Sequence, residues 1–279
     1  MPKIKHVIPE NIATLLRAAF IDGNVLRKIT TQLDAATYKA LNKTLEHAGG
    51  KWSRSAQGHV FPAGGIRTLL ASLDAGESTD HIAEHQFFPT PPEIASDIAM
   101  HAMMGRKSRQ RVLEPSAGDG VLARAVKRLD GTSEIMCVEI RPEACLDLRR
   151  TGQFDVRQGD FLGMSPAFLG DFDVIVMNPP FTKDADIRHI LHAWTFLRPG
   201  GKLVSLCSPG FTFSMRGLKK TLNELLFDRE GDHRILPRAQ FGRTELEVAM
   251  IQLEKPAAVA APAPLRPLQN GAARRLAAM

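Results

Sequence analysis

From residue 110 to residue 255 the chain alternates between two hydrophobic textures. Short apolar runs recur at 111–115 (RVLEP), 135–140 (IMCVEI), 172–180 (FDVIVMNPP), 202–207 (KLVSLC) and 248–254 (VAMIQLE). Between the early runs, 121–129 (VLARAVKRL), 141–150 (RPEACLDLRR) and 186–197 (DIRHILHAWTFL) place apolar side chains three and four positions apart. The first texture reads as buried strand and the second as amphipathic helix. Their alternation predicts an α/β fold, a doubly wound and mostly parallel sheet covered on both faces. The end of this stretch differs. After the helical spacing of 215–228, the runs HRILP (233–237) and VAMIQLE are joined by a segment with no helical period. Without a crossover helix the two strands are expected to pair antiparallel at one edge of the sheet.

Residues 1–85 follow another pattern. Helical spacing is present in ENIATLLRAAFI (10–21) and in LDAATYKALNKTLEHA (33–48), with Asp34 placed to cap the second helix and Gly49-Gly50 to stop it. KWSR-SAQG-HVFP (51–62) reads as a hairpin around a Gly-containing turn, followed by a short helix in GIRTLLASLD (65–74). This predicts a small α+β domain, wing-like in its hairpin, with the polar stretch AGESTDHIAEH (75–85) as the linker. Residues 86–255 form the second domain. Residues 256–279, rich in Ala and Pro, are expected to be a disordered tail.

Composition narrows the class without changing this outline. The chain has 279 residues, 44% apolar and 24% charged, which excludes collagen-like and wholly disordered classes. No run approaches the roughly 18 apolar residues of a membrane span, and the first residues lack the apolar region of an export signal, so a cytoplasmic location is expected. Cys137, Cys145 and Cys207 show no metal-ligand spacing and read as buried thiols in a reducing compartment. Lys and Arg number 10 against 8 acids in residues 1–85, and 23 against 22 in residues 86–255. The net charge of +6 is therefore spread thinly, which allows a phosphate-bearing partner without requiring one.

Two motifs carry the chemistry. Glu114-Pro115-Ser116-Ala117-Gly118-Asp119-Gly120 closes the first strand of the alternating region and opens a helix. Its glycines permit a tight turn and close approach of a ligand to the backbone, beside the unpaired N–H groups of a helix start. Gly118-x-Gly120-x-x-Ala123 also fits a nicotinamide-dinucleotide turn, with Glu139 ending the next strand where a ribose-binding acid belongs. The second motif, Asn178-Pro179-Pro180-Phe181, directly follows a buried strand. Its prolines fix the backbone and remove two donors, which leaves the Asn178 side-chain oxygen and the Pro179 carbonyl as acceptors for an NH2 group. Phe181 offers a flat face for a planar substrate.

With both motifs in this order, residues 86 to about 255 resemble the class I S-adenosylmethionine-dependent amino-methyltransferases, especially the adenine-N6 DNA methyltransferases. The resemblance implies a seven-stranded Rossmann-like sheet with one antiparallel edge strand. It implies S-adenosylmethionine as cofactor, with Glu114, Pro115, Ser116, Ala117, Gly118 and Gly120 along its methionine and ribose part. Glu139 would accept the ribose hydroxyls, Ile140 would pack on the adenine, and Asp160-Phe161 would meet the adenine amine and ring face. Phe88, Pro89 and Thr90, in FFPTP (87–91), would cover the methionine end, and Asn178, Pro179, Pro180 and Phe181 would hold the target amine. Asn178 as first residue of its motif also fits related enzymes of RNA guanine-N2 or protein glutamine. No insertion is long enough for a separate target-recognition domain, so selectivity falls to residues 1–85 or to short loops such as SPGFTFSMRG (208–217). Lys51, Trp52, Arg54 and His59 share the expected hairpin and mix charge with a stacking surface, a candidate nucleic-acid contact. A small domain's need for core aromatics nevertheless favours an interior place for Trp52. The expected function is methyl transfer to adenine N6 in DNA after base flipping. The alternatives are RNA or protein amino-methylation, a nicotinamide-dependent oxidoreductase, and a non-catalytic DNA-binding protein.

Overall fold

The computed structural model describes residues 5–27, 29, 32–61, 65–79, 89–237, 239–241 and 244–257, so the expected tail lies outside the described residues from 258 onward. The N-terminal unit runs β1 (Lys5–Val7), α1 (Glu10–Arg17), β2 (Ile21–Asp22), β3 (Val25–Arg27), α2 (Ala35–His47), β4 (Lys51–Ser53), β5 (Gly58–Val60), α3 (Gly65–Ala75) and β6 (Glu77–Thr79). Asp34 caps α2, its Oδ1 accepting from the amides of Ala36 and Thr37, each at 2.9 Å. The chain leaves α2 through Gly49 at φ 85°, the left-handed stop that favours glycine. Strands β2, β3, β5 and β4 form an antiparallel sheet, and β1 pairs with β6. Ile12, Leu16, Leu26, Leu45, Phe61 and Leu69 fill a core separate from the rest of the chain.

Two expectations fail in this unit. Glu77–Thr79, read as part of a polar linker, is a strand paired with β1, because its partner lies some 70 positions earlier where no local pattern can show it. Trp52 is 48% exposed rather than in the core, since Phe61 takes the central position of that small interior.

The larger unit runs α4 (Pro92–Met103), β7 (Arg111–Glu114), α5 (Val121–Leu129), β8 (Glu134–Glu139), α6 (Pro142–Arg150), β9 (Asp155–Gln158), α7 (Pro166–Leu169), β10 (Phe172–Met177), α8 (Ala185–Thr195), β11 (Leu197–Cys207), α9 (Gly217–Asp228), β12 (Asp232–Ile235), β13 (Ala239–Phe241), β14 (Thr244–Leu246) and β15 (Ala249–Glu254). One seven-stranded sheet holds it together, in the order β12-β15-β11-β10-β7-β8-β9. All neighbours are parallel except at β15, which runs antiparallel to both β11 and β12. The reversed strand is thus at the expected end of the sheet, one place in from the last strand. The connection before it, without helical period, folds as the small β13–β14 hairpin.

Strand β10 shows why the sequence has no polar face here. Val174 and Val176 enter a core beneath α4 and α5, while Ile175 and Met177 enter a second core beneath α8 and α9. A strand buried on both sides is apolar along its buried length, here 174–177, and the partly buried Asp173 near its start pairs with Arg198. The two units meet where Arg67 of α3 pairs with Asp147 of α6 at 2.7 Å. Cys137, Cys145 and Cys207 are buried free thiols. No helix among the described residues is long and apolar enough to cross a membrane.

Candidate active site

The sheet order reverses direction between β7 and β10, which are neighbours although separated in sequence. In open α/β sheets such a switch point opens a crevice beyond the carboxyl ends of the strands. Both motifs end there, EPSAGDG after β7 and NPPF after β10, and they share one cavity of about 400 Å³.

On the β7 side, backbone geometry makes the turn. Gly118 and Gly120 sit at φ 56° and 75°. The amide of Gly118 donates to Glu139 Oε2 at 2.6 Å, so the acid ending β8 is held by the turn ending β7. Glu139 Oε1 accepts from the backbone amide and Nε of Arg141, at 2.9 and 3.0 Å. A carboxylate has about four acceptor sites, which leaves one. Glu114 is 1% exposed, and its Oε2 accepts from the Ala123 amide at 2.8 Å, tying strand to helix. Burial pushes the carboxyls of Glu114 and Asp119 upward. Both line the cavity with Glu139 and Asp160. An acid-rich, water-poor wall of this kind suits a cationic ligand, which would restore the ionised form.

On the β10 side, Asn178 Nδ2 donates to Thr90 Oγ1 at 2.9 Å. Thr90 is buried although 88 positions away, and the bond ties the proline corner to the segment before α4. Pro179 and Pro180 line the cavity. Phe181 does not: its partly buried ring packs against the core beneath α4 and α5, because the chain turns there into the segment preceding α8. Nor does Phe161 offer an open face. It is 2% exposed, with His192 edge-on at 4.8 Å and Phe196 at 5.1 Å, so the ring serves the core while the residue forms cavity floor. Asp160 caps the turn that follows it, Oδ1 accepting from the Leu162 amide at 3.0 Å. Ile140 is 52% exposed in the wall. Pro115, Ser116, Ala117 and Gly118 line it too, whereas Gly120 stands behind it as the helix cap and Pro89 lies outside it. Phe88 lies outside the described residues.

Two residues unseen in the sequence reading come from α8. His192 Nε2 donates to the carbonyls of Phe161 and Met164, at 3.1 and 2.9 Å, and so clamps the Asp160 turn. His189 lines the cavity, with its Nδ1 donating to the Ala185 carbonyl at 2.7 Å. A carbonyl can only accept, so Nδ1 carries the proton; burial lowers the affinity of this imidazole for a second one, which leaves Nε2 an acceptor. The signal was the spacing of two histidines on one helix face, which is common enough to pass as packing. The exposed Lys183 and Arg188 complete the rim beside the proline corner.

Residues 89–226 match the family model of the methyltransferase small domain. The fold is that of the class I S-adenosylmethionine-dependent methyltransferases. A protein named as a class I S-adenosylmethionine-dependent methyltransferase from Listeria monocytogenes superposes with a TM-score of 0.51 at 16% identity, over 92% of this chain and 88% of that one. The methyltransferase subunit of a type I restriction-modification system from Streptococcus thermophilus superposes with a TM-score of 0.53 at 19% identity, over 69% of this chain and 49% of that one. The family match and the shared fold support S-adenosylmethionine as the cofactor. The reversed seventh strand set between the fifth and sixth distinguishes this sheet from the dinucleotide order 3-2-1-4-5-6. The nicotinamide reading of GxGxxA is therefore not retained for this domain.

Proposed function

We propose that the chain transfers a methyl group to the exocyclic N6 amine of adenine in DNA, with the target base turned out of the duplex. The observation that carries this reading is the shared cavity: the cofactor turn and the proline corner open into one space. In that space Glu139 holds the cofactor ribose, Ile140 and Asp160 hold its adenine, and the acid wall of Glu114 and Asp119 faces its cationic end. When bound, the cofactor supplies a methyl group already activated on a sulfonium sulfur.

The remaining work belongs to alignment and polarisation. Thr90 holds the Asn178 NH2, which leaves the side-chain oxygen, buried in this structure, as the acceptor the substrate amine must reach. That oxygen and the Pro179 carbonyl accept the two amine hydrogens and draw the nitrogen lone pair out of conjugation. Positive charge developing on the nitrogen is stabilised by the same two acceptors. No strong base is required, since the proton leaves after transfer. An amine inside a duplex cannot reach this recess, which is why the base is extruded. Stacking of that base is not assigned to Phe181, whose ring packs on the core. The hairpin of Lys51, Trp52, Arg54 and His59 supplies a remote contact to the nucleic acid.

The test compares two sets of variants. Asn178→Ala is expected to lower the rate of transfer to unmethylated DNA by on the order of a hundredfold or more, with sinefungin binding by calorimetry nearly unchanged. Glu139→Ala and Gly118→Val are expected to weaken sinefungin binding itself. Equal loss of sinefungin binding in both sets would refute the assignment, and mass spectrometry of digested DNA that finds no N6-methyladenine would refute the substrate.

A further inference from the structure

The loop between β11 and α9, SPGFTFSMRG (208–217), divides its apolar residues between inside and outside. Phe211 is fully buried, with the ring of His233 edge-on at 5.4 Å. Phe213 is 87% exposed and Met215 is 65% exposed. Ser214 between them is extended, at φ −135° and ψ 124°. The backbone beneath is fixed. Asn223 Nδ2 donates to the carbonyls of Phe211 and Ser214 at 2.9 and 3.4 Å, and Thr212 Oγ1 donates to the Pro209 carbonyl at 2.8 Å. Two large apolar side chains are thus held largely in water on a rigid base, Met215 touched at its sulfur by Asn223 Nδ2 at 3.4 Å.

The loop is joined to the proline corner. The Ser208 amide donates to Asp186 Oδ2 at 2.7 Å, and Lys219 pairs with Asp184 at 3.5 Å. The loop carrying Phe213 and Met215 is thus tied to the segment after the proline corner, with exposed Arg216 next to them and exposed Lys183 and Arg188 lining the cavity on that segment and on α8. A second copy of this chain related by a two-fold axis would bring those three cations against themselves. A polyanion is the complementary partner.

We propose that Phe213 and Met215 form a wedge that enters the base stack of duplex DNA beside the target and occupies the place the extruded base leaves. The proposal rests on the reading of this site as a base-flipping methyltransferase. Apolar side chains that intrude between bases are a recurrent means of unstacking a duplex. A base already free of a duplex needs no wedge, which gives the proposal a signature that a general loss of function lacks.

The experiment uses the full chain, circular single-stranded phage DNA and its double-stranded replicative form as the two substrates, and labelled S-adenosylmethionine. The variant carries Phe213→Ala with Met215→Ala, and Phe213→Leu is the conservative control. The double variant is expected to lose about tenfold or more of its rate on the duplex and less than about twofold on the single strand, with Phe213→Leu near wild type on both. Melting temperature and sinefungin affinity are expected to match wild type. A parallel loss on both substrates, or no loss on the duplex, would overturn the wedge while leaving adenine methylation intact. A wild-type dimer that the double variant converts to monomer would reassign the face to a second copy and overturn it equally. A wild-type protein that methylates neither DNA form would overturn the underlying reading, and the wedge with it.

Discussion

Glu114 carries two tasks that pull against each other. Its Oε2 anchors the first turn of α5 through the Ala123 amide, and its carboxyl is buried among other acids. Burial raises its pKa above the ordinary 4.5, so the folded protein holds this proton to higher pH than the unfolded chain does. By linkage, stability then falls as pH rises from about 4.5 through the raised folded value. Glu114→Gln keeps an acceptor for Ala123 and removes the titration. Thermal denaturation from pH 5 to pH 8 is expected to show a variant whose melting temperature gains on wild type as pH rises. Sinefungin, which is cationic, should bind the same variant more weakly at pH 7. A melting curve that tracks wild type at every pH would show that this acid does not hold its proton in the fold. A negative group kept at a cost to stability is what a cation-binding wall requires.

At the scale of the element, the strand–turn–helix after β7 is the part that geometry constrains most. A Cβ at Gly120 would meet Leu148 Cδ2 at 2.5 Å, and the φ of 75° disfavours any L side chain there. Leu148 lies on α6, so the glycine allows two helices on the same face of the sheet to approach behind the cavity wall. Gly120→Ala is expected to cost about 2–3 kcal/mol, overpacking and left-handed strain together, measured by urea denaturation. Measured against Leu148→Ala alone, which carries its own cavity cost, Gly120→Ala should recover only the part of its loss due to the clash, since the backbone strain remains. Full recovery would mean that the conformation at Gly120 carries no cost of its own.

On the scale of the whole molecule, two units with separate cores are joined at the Arg67–Asp147 pair, on the helix that follows Glu139 and Arg141. The exposed hairpin of the first unit offers Trp52 edge-on to His59 at 5.3 Å, between the exposed Lys51 and Arg54. Burial lowers the pKa of His59, so at neutral pH the stacking surface is flanked by lysine and arginine charge alone. Trp52→Ala is expected to weaken binding of a labelled DNA duplex about tenfold, within the range of a lost aromatic–base contact. It should hardly move the melting temperature, because half the ring is already in water. Anisotropy titration and thermal denaturation check both. A large fall in melting temperature with binding unchanged would make Trp52 a structural residue after all.

What the sequence determined by itself was everything with a short period or a short span. The strand runs through β8 and β10, the helical spacing of α5 and α8, the Asp34 cap and the KWSR hairpin all follow from contacts within a few residues. The two motifs were legible for the same reason, since a Gly turn and a Pro-locked corner are local devices. Tertiary structure alone decided what depends on distant partners. It decided that Glu77–Thr79 pairs with β1, that Thr90 holds Asn178 across 88 positions, and that His192 clamps the Asp160 turn. It also turned Phe181 and Phe161 to the core and Trp52 to the surface. An aromatic side chain gains from either environment, and which one it meets is set by the volume its neighbours leave, a quantity no window of sequence contains.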